Sequence, residues 1–184
     1  MPLTCRWLPA MLLMLLFAPP AAAQEPQDPS LVVPHVRPVN GIRSLVDEAA
    51  LRSPEVRTLL DQLEATDVIV YIRGRNFEDP ELDGRVALLA VTSLQRYLVI
   101  EISCLENTIV QMATLGHELY HALEIARDPS IVDGRTLAAH YRRIGEQQGD
   151  AVGRLRFETA AAFEAGRRTR RELIVNRTRS ADGS

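Results

Sequence analysis

The chain has 184 residues and a formal net charge of −3, so one domain is its natural size. Mild acidity argues against non-specific nucleic-acid binding. Every basic residue is an arginine, which excludes a lysine nucleophile or Schiff base.

Residues 1–23 read as an export signal: Arg6 supplies the positive start, residues 8–18 the apolar run, and Ala21-Ala22-Ala23 the small-residue cleavage site. The run is too short, and too soon broken by Pro19 and Pro20, to span a bilayer. The expected product is exported, periplasmic or secreted, cut near Ala23 and without a stable membrane span; an uncleaved anchor is the alternative. About 160 residues remain, enough for one well-buried core. Cys5 leaves with the signal, and the remaining Cys104 has no internal disulfide partner. At the end of an apolar run it is expected to be a buried, inert thiol; an intermolecular disulfide is the alternative.

Residues 24–40 carry Pro26, Pro29, Pro34 and Pro38 and read as an extended arm or linker. Val32, Val33 and Val36 are its docking candidates, and His35 is expected to be solvated. The domain proper spans 41–175, and 176–184 form a polar tail expected to fray. A helical pattern begins at Ile42, with Ser44 and Asp47 spaced as a capping box. Ser53-Pro54-Glu55 then starts a second helix reaching about Glu64.

Residues 68–72 are β-branched and aromatic, the signature of a strand. An acidic loop over 76–84 follows. Residues 85–92 and 97–103 are two further apolar runs with a short connection, which predicts an antiparallel hairpin. The fold class expected is therefore α+β, with a small antiparallel sheet of about three strands packed against helices.

Next comes a helix capped by Asn107 or Thr108, with Gln111 completing a Thr-x-x-Gln box and Asp128-Pro129 as its stop. Inside it lies His117-Glu118-Leu119-Tyr120-His121. At about 100° per residue, positions i and i+4 fall nearly on one line of a helix. Two imidazoles then share one Zn²⁺, and Glu118 reaches a water on the metal rather than the metal itself. The remaining positions from Thr114 to Leu123 are uncharged, as a largely buried active-site helix requires. A core helix with two hydrogen-bonded histidines would leave the buried acid without a purpose.

Asp133-Gly134 precedes a helix over 135–144, and 145–149 read as a loop. A last long helix is expected over 150–173. On its wheel Val152, Leu155, Thr159, Ala162, Phe163 and Gly166 cluster within about 100°. Glu158 sits at the flank of that stripe among alanines, where another helix approaches closely. Glu164 suits a surface pair with Arg168 one turn on.

A catalytic zinc wants three protein ligands and one open position. Glu158 is the first choice for the third. Glu124 lies on the same helix face as the two histidines but one turn further, which suits a carboxylate orienting an imidazole; a surface acid is the alternative. His140, Glu146 and Asp150 are lesser candidates. A third histidine ten residues after His117 is excluded, because Arg127 stands there.

On residues 114–123 and 157–161, with a strand and a helix leading into the motif, the chain resembles the zincin metallopeptidases, and most closely their compact gluzincins. That resemblance implies zinc held by His117, His121 and Glu158, Glu118 as general base, and hydrolysis of peptide or protein substrates. Tyr141, His140 and Tyr120 are candidate oxyanion partners. In zincins an edge strand aligns the peptide; the comparable strand here is 97–103, which would put Glu101 near the cleft, although an exposed strand acid is the plainer reading of that residue. The competing functional reading is a catalytically silent metal-binding or interaction domain; a third is a helical protein with a chance motif. An intact Glu118 favours the enzyme, since a binding module needs no base.

Overall fold

The computed structural model describes residues 33–39, 41–149 and 155–181. The signal segment, its cleavage site near Ala23, most of the proline-rich arm, Asp150 and the last three tail residues lie outside the described residues. Among the described residues the architecture is α+β: five helices and a four-stranded sheet, with a second, two-stranded sheet. No described helix is long and apolar enough to cross a membrane.

In chain order the elements are β1 (Val36–Pro38), α1 (Arg43–Arg52), α2 (Pro54–Glu64), β2 (Val68–Arg75), β3 (Gly84–Val91), β4 (Arg96–Ser103), α3 (Thr108–Arg127), α4 (Gly134–Ile144), β5 (Glu146–Gly149), β6 (Leu155–Glu158) and α5 (Ala160–Ala181). The main sheet runs β1-β2-β4-β3. The expected hairpin is present, with β3 antiparallel to β4. The sheet as a whole is mixed rather than antiparallel: β2 lies parallel to β4, and β1 parallel to β2. The near-continuous apolar runs of β2 and β4 suit inner, parallel pairing. The helices α1 and α2 form the long crossover that parallel β1 and β2 require.

The end of the arm is therefore part of the fold. Val36 is buried, and the backbone N–H groups of His35 and Val36 donate to the two carboxylate oxygens of Glu64. His35 is half-buried rather than solvated. Val33 stays exposed.

Val68, Val70 and Ile72 of β2 and Leu98, Ile100 and Ile102 of β4 turn one face of the sheet toward the helices. Met112, Leu115, Leu119, Ala122 and Ile125 of α3 and Val56, Leu59 and Leu63 of α2 close the core over that face. Caps place the helix starts. Ser53 accepts from the Val56 N–H with Pro54 in the first turn, and Asn107 accepts from the Val110 N–H. Helix α1 starts without a side-chain cap, so the Ser44–Asp47 box does not form. Nor does the Thr108–Gln111 box, because the Gln111 amide donates to the Ser103 carbonyl at 2.9 Å instead.

Arg96 fixes the far end of α3. Its buried guanidinium grips both oxygens of Asp67 and donates to the carbonyls of Ile125, Ala126 and Asp128, each at 2.8 Å. At this helix C-terminus the Ile125 and Asp128 carbonyls also accept backbone N–H groups, from Asp128 and Ile131, and Arg96 adds a charged donor to each. Arg96→Met should therefore lower the unfolding free energy by about 3 kcal/mol in urea titrations. A loss below about 0.5 kcal/mol, the size of an ordinary surface substitution, would mean that the carbonyls find other partners.

Two expectations fail at the end of the sheet. Glu101 is neither exposed nor in the cleft. It is fully buried on inner strand β4, bonded to Arg73, Arg75 and Arg85. Arg73 and Arg85 are its direct neighbours on β2 and β3. Burial pushes its carboxyl up, and the three guanidiniums outweigh that and hold it at about 2. Cys104 is exposed, because it stands one residue beyond the last residue of β4.

Candidate metal centre

Helix α3 carries His117 and His121 on adjacent turns, with ring centroids 4.7 Å apart. Glu158 meets them from the last position of β6. Its Oε2 lies 2.9 Å from His117 Nε2 and 3.6 Å from His121 Nε2. The three donor atoms all fall within 4.8 Å of one another. A tetrahedral ion with ligands near 2.1 Å wants donors separated by about 3.4 Å, so the trio has the right spacing. One atom makes the fit specific. Glu158 Oε2 is buried and finds no aligned hydrogen-bond partner, despite its closeness to His117. A buried acceptor left in this way between two imidazole nitrogens suits a bridging cation.

The route by which Glu158 arrives differs from the helical expectation. Residues 155–158 are a strand, paired with β5 in the register Glu146–Glu158 and Gln147–Phe157. The helix starts only at Ala160. Thr159 is the reason: its hydroxyl accepts from the Ala162 N–H, and its carbonyl accepts from the Phe163 N–H. A capping threonine before three alanines is a strong helix start. Downstream, α5 continues to Ala181, past the point where the tail is expected to fray. Glu164 pairs with Arg167 and Arg171, while Arg168 reaches Glu55 on α2.

Glu124 holds the arrangement together. It takes His121 Nδ1 at 2.8 Å on one oxygen and the Thr159 hydroxyl at 2.7 Å on the other. His121 Nε2 is thereby turned toward Glu158, the usual service of an outer carboxylate to a metal-binding imidazole. Tyr141 backs the same ring, its hydroxyl 3.3 Å from both His121 Nδ1 and the His121 carbonyl. It also stacks on Phe157 of β6.

The site's charges are strongly coupled. Burial pushes the Glu118 carboxyl above the usual carboxylate range, and the two imidazoles only partly offset it. Burial also pushes the Glu158 carboxyl up, but the adjacent imidazoles of His117 and His121 hold it at about 2. Burial depresses His121, whereas Glu124 and Glu158 draw it up to about 10.

A cleft of about 720 Å³ opens over His117, Glu118 and Glu158. One wall is the loop before β3, with Glu81, Leu82 and Asp83. The other is α5, with Phe163, Arg167 and Arg170. Tyr120, His140 and Tyr141 do not line it. Tyr141 lies behind His121, and His140 is held by Asp128 at 2.7 Å. The sheet edge beside the cleft is β3, not the expected strand β4. Glu146 lines the cleft but does not join the donor cluster.

Two glycines bring the walls in. A β-carbon on Gly84 would stand 2.5 Å from Thr114 Cγ2 and 3.0 Å from Glu118 Oε1. One on Gly166 would stand 3.2 Å from His117 Cβ and 3.3 Å from the Ala113 carbonyl. The small-residue stripe of the last helix anticipates the second approach; nothing in the sequence pattern singles out the first. Gly166→Leu should force α5 away from α3, by sterics of the kind that cost about 1–3 kcal/mol in cores. A lower unfolding midpoint is the expected signature, and an unchanged midpoint would show that α5 does not press on His117.

The chain matches no family model, no curated protein and no solved structure.

Proposed function

We propose that this chain is an exported, zinc-dependent metallopeptidase of the zincin type, with a gluzincin-like ligand set of His117, His121 and Glu158. The observation that carries the reading is the convergence of one buried Glu158 oxygen on two imidazole nitrogens, at 2.9 and 3.6 Å, at the floor of an open cleft, with Glu118 beside them. Two nitrogens and one carboxylate, with space left on the cleft side, suit a catalytic rather than a closed structural zinc.

When bound, the ion supplies Lewis acidity, acidifying a water and polarising a carbonyl. The chain's own residues do the rest. Glu118, next to His117 and lining the cleft, accepts a proton from the attacking water on a carboxylate oxygen and returns it to the leaving amine. Glu124 and Tyr141 keep His121 in its ligating orientation. Thr159 ties the strand that delivers Glu158 to the same Glu124. Peptides and proteins are the substrates that this chemistry implies.

The test is metal analysis of the freshly purified chain together with a broad peptide library. One zinc per chain is expected, with hydrolysis that a chelator stops and added zinc restores. Absence of bound metal would overturn the reading. Bound zinc with an inert chain would leave the silent metal-binding domain in its place.

A further inference from the structure

The two walls of the cleft carry opposite charges. Glu81 and Asp83 stand just before Gly84, where an added β-carbon would crowd Glu118. Arg167 and Arg170 follow Gly166, where an added β-carbon would crowd His117. The floor of the site therefore sits between an acidic and a basic wall. Among the described residues no ion pair joins them across the gap. Arg167 is engaged with Glu164 at 3.4 Å and lies over the Phe163 ring. Arg170 makes no ion pair among the described residues, and neither do the side chains of Glu81 and Asp83.

Resting on the peptidase reading, we propose that the cleft sorts substrates by charge. Arg170, flanked by Arg167, takes a carboxylate on the α5 side of the scissile bond, and Glu81 and Asp83 favour a cationic side chain on the other. Guanidinium suits the first task, since its planar fork matches a carboxylate with two parallel hydrogen bonds. Low-dielectric walls that carry fixed charge also focus the field on an incoming ligand. The carboxylate has two sources, an Asp or Glu side chain and the chain's own C-terminus.

The experiment uses one set of fluorescent peptides: doubly charged, neutral and charge-reversed, each as free acid and as C-terminal amide. Binding is read by anisotropy on the full chain carrying Glu118→Gln, and turnover on the zinc-loaded chain. The doubly charged peptide is expected to be favoured about tenfold over the neutral one, with the preference shrinking as salt rises. Arg170→Gln should collapse the acidic part of that ratio, and Arg170→Glu should invert it. Glu81→Gln combined with Asp83→Asn should collapse the cationic part. Loss of the preference on amidation assigns the carboxylate to the C-terminus; its survival assigns it to a side chain. Equal binding of all peptides, or a uniform loss in the Arg170 variants, overturns the proposal. Turnover without charge sorting sinks only this inference, whereas charge-sorted binding without any turnover sinks the peptidase reading and leaves the sorting cleft.

Discussion

Glu118→Gln is expected to bind zinc as tightly as the parent and to lose peptide hydrolysis by about a thousandfold, within the range a positioned acid–base group supplies. The substitution is nearly isosteric. That matters here, because Glu118 is only 5% exposed and Thr114 lies one turn before it on a helix pressed closely by Gly84. Glutamine fills the same space, so neither the helix nor the two imidazoles need move. What it lacks is a site that takes and returns a proton. It also removes a buried acid, so stability should hold or rise slightly. Zinc stoichiometry, unfolding midpoint and kcat/KM on one peptide distinguish the outcomes. A variant as active as the parent would remove Glu118 from the mechanism. A variant that loses zinc would mean that its carboxylate is a ligand, and the division of roles in the motif would be wrong.

How legible the site is from sequence depends on the distance over which its parts are specified. His117, Glu118 and His121 lie within two turns of one helix, so helical geometry alone orients them. The start of that helix at Asn107 and its stop at Asp128 are equally local. Glu124, also local, falls where a carboxylate supporting an imidazole should fall. Glu158 is different. It is a plausible ligand by residue type and position, but the helical wheel that recommends it describes a helix absent at that point. The apolar spacing of Val152, Leu155 and Thr159 mimics a helical stripe, while the alternation in Leu155–Glu158 is too short to outvote it. The cap at Thr159 settles the local contest, because its side-chain oxygen satisfies a helix N–H that would otherwise be orphaned. Sheet order is still less local. Nothing in residues 68–75 says that β4, rather than β3, will be their neighbour. Long-range pairing therefore decides that Glu101 is clamped by arginines from both sides rather than presented to a substrate.

The strand origin of Glu158 sharpens the second large prediction. Glu158→Ala should weaken zinc binding on the order of a thousandfold, against about 10–100-fold for Glu124→Gln, which leaves one acceptor oxygen for the two donors that Glu124 serves and keeps all three metal donors. The contrast matters more than either number. In both variants a carboxylate vanishes from the neighbourhood of His121, so a purely electrostatic site would respond to both alike. A coordinating site would not, because only Glu158 has an oxygen between the two Nε2 atoms. The fold should survive the first change: the Glu158 side chain is about one-third exposed, and Thr159 keeps its cap and its bond to Glu124 without it. Competition titrations with a chromophoric chelator measure both affinities, and the unfolding midpoint guards against a trivial loss. Glu146→Gln is the control that decides between neighbours, since Glu146 stands directly across the hairpin from Glu158 and lines the same cleft. A large loss there, with Glu158→Ala near parental affinity, would transfer the third ligand to the other strand of the hairpin.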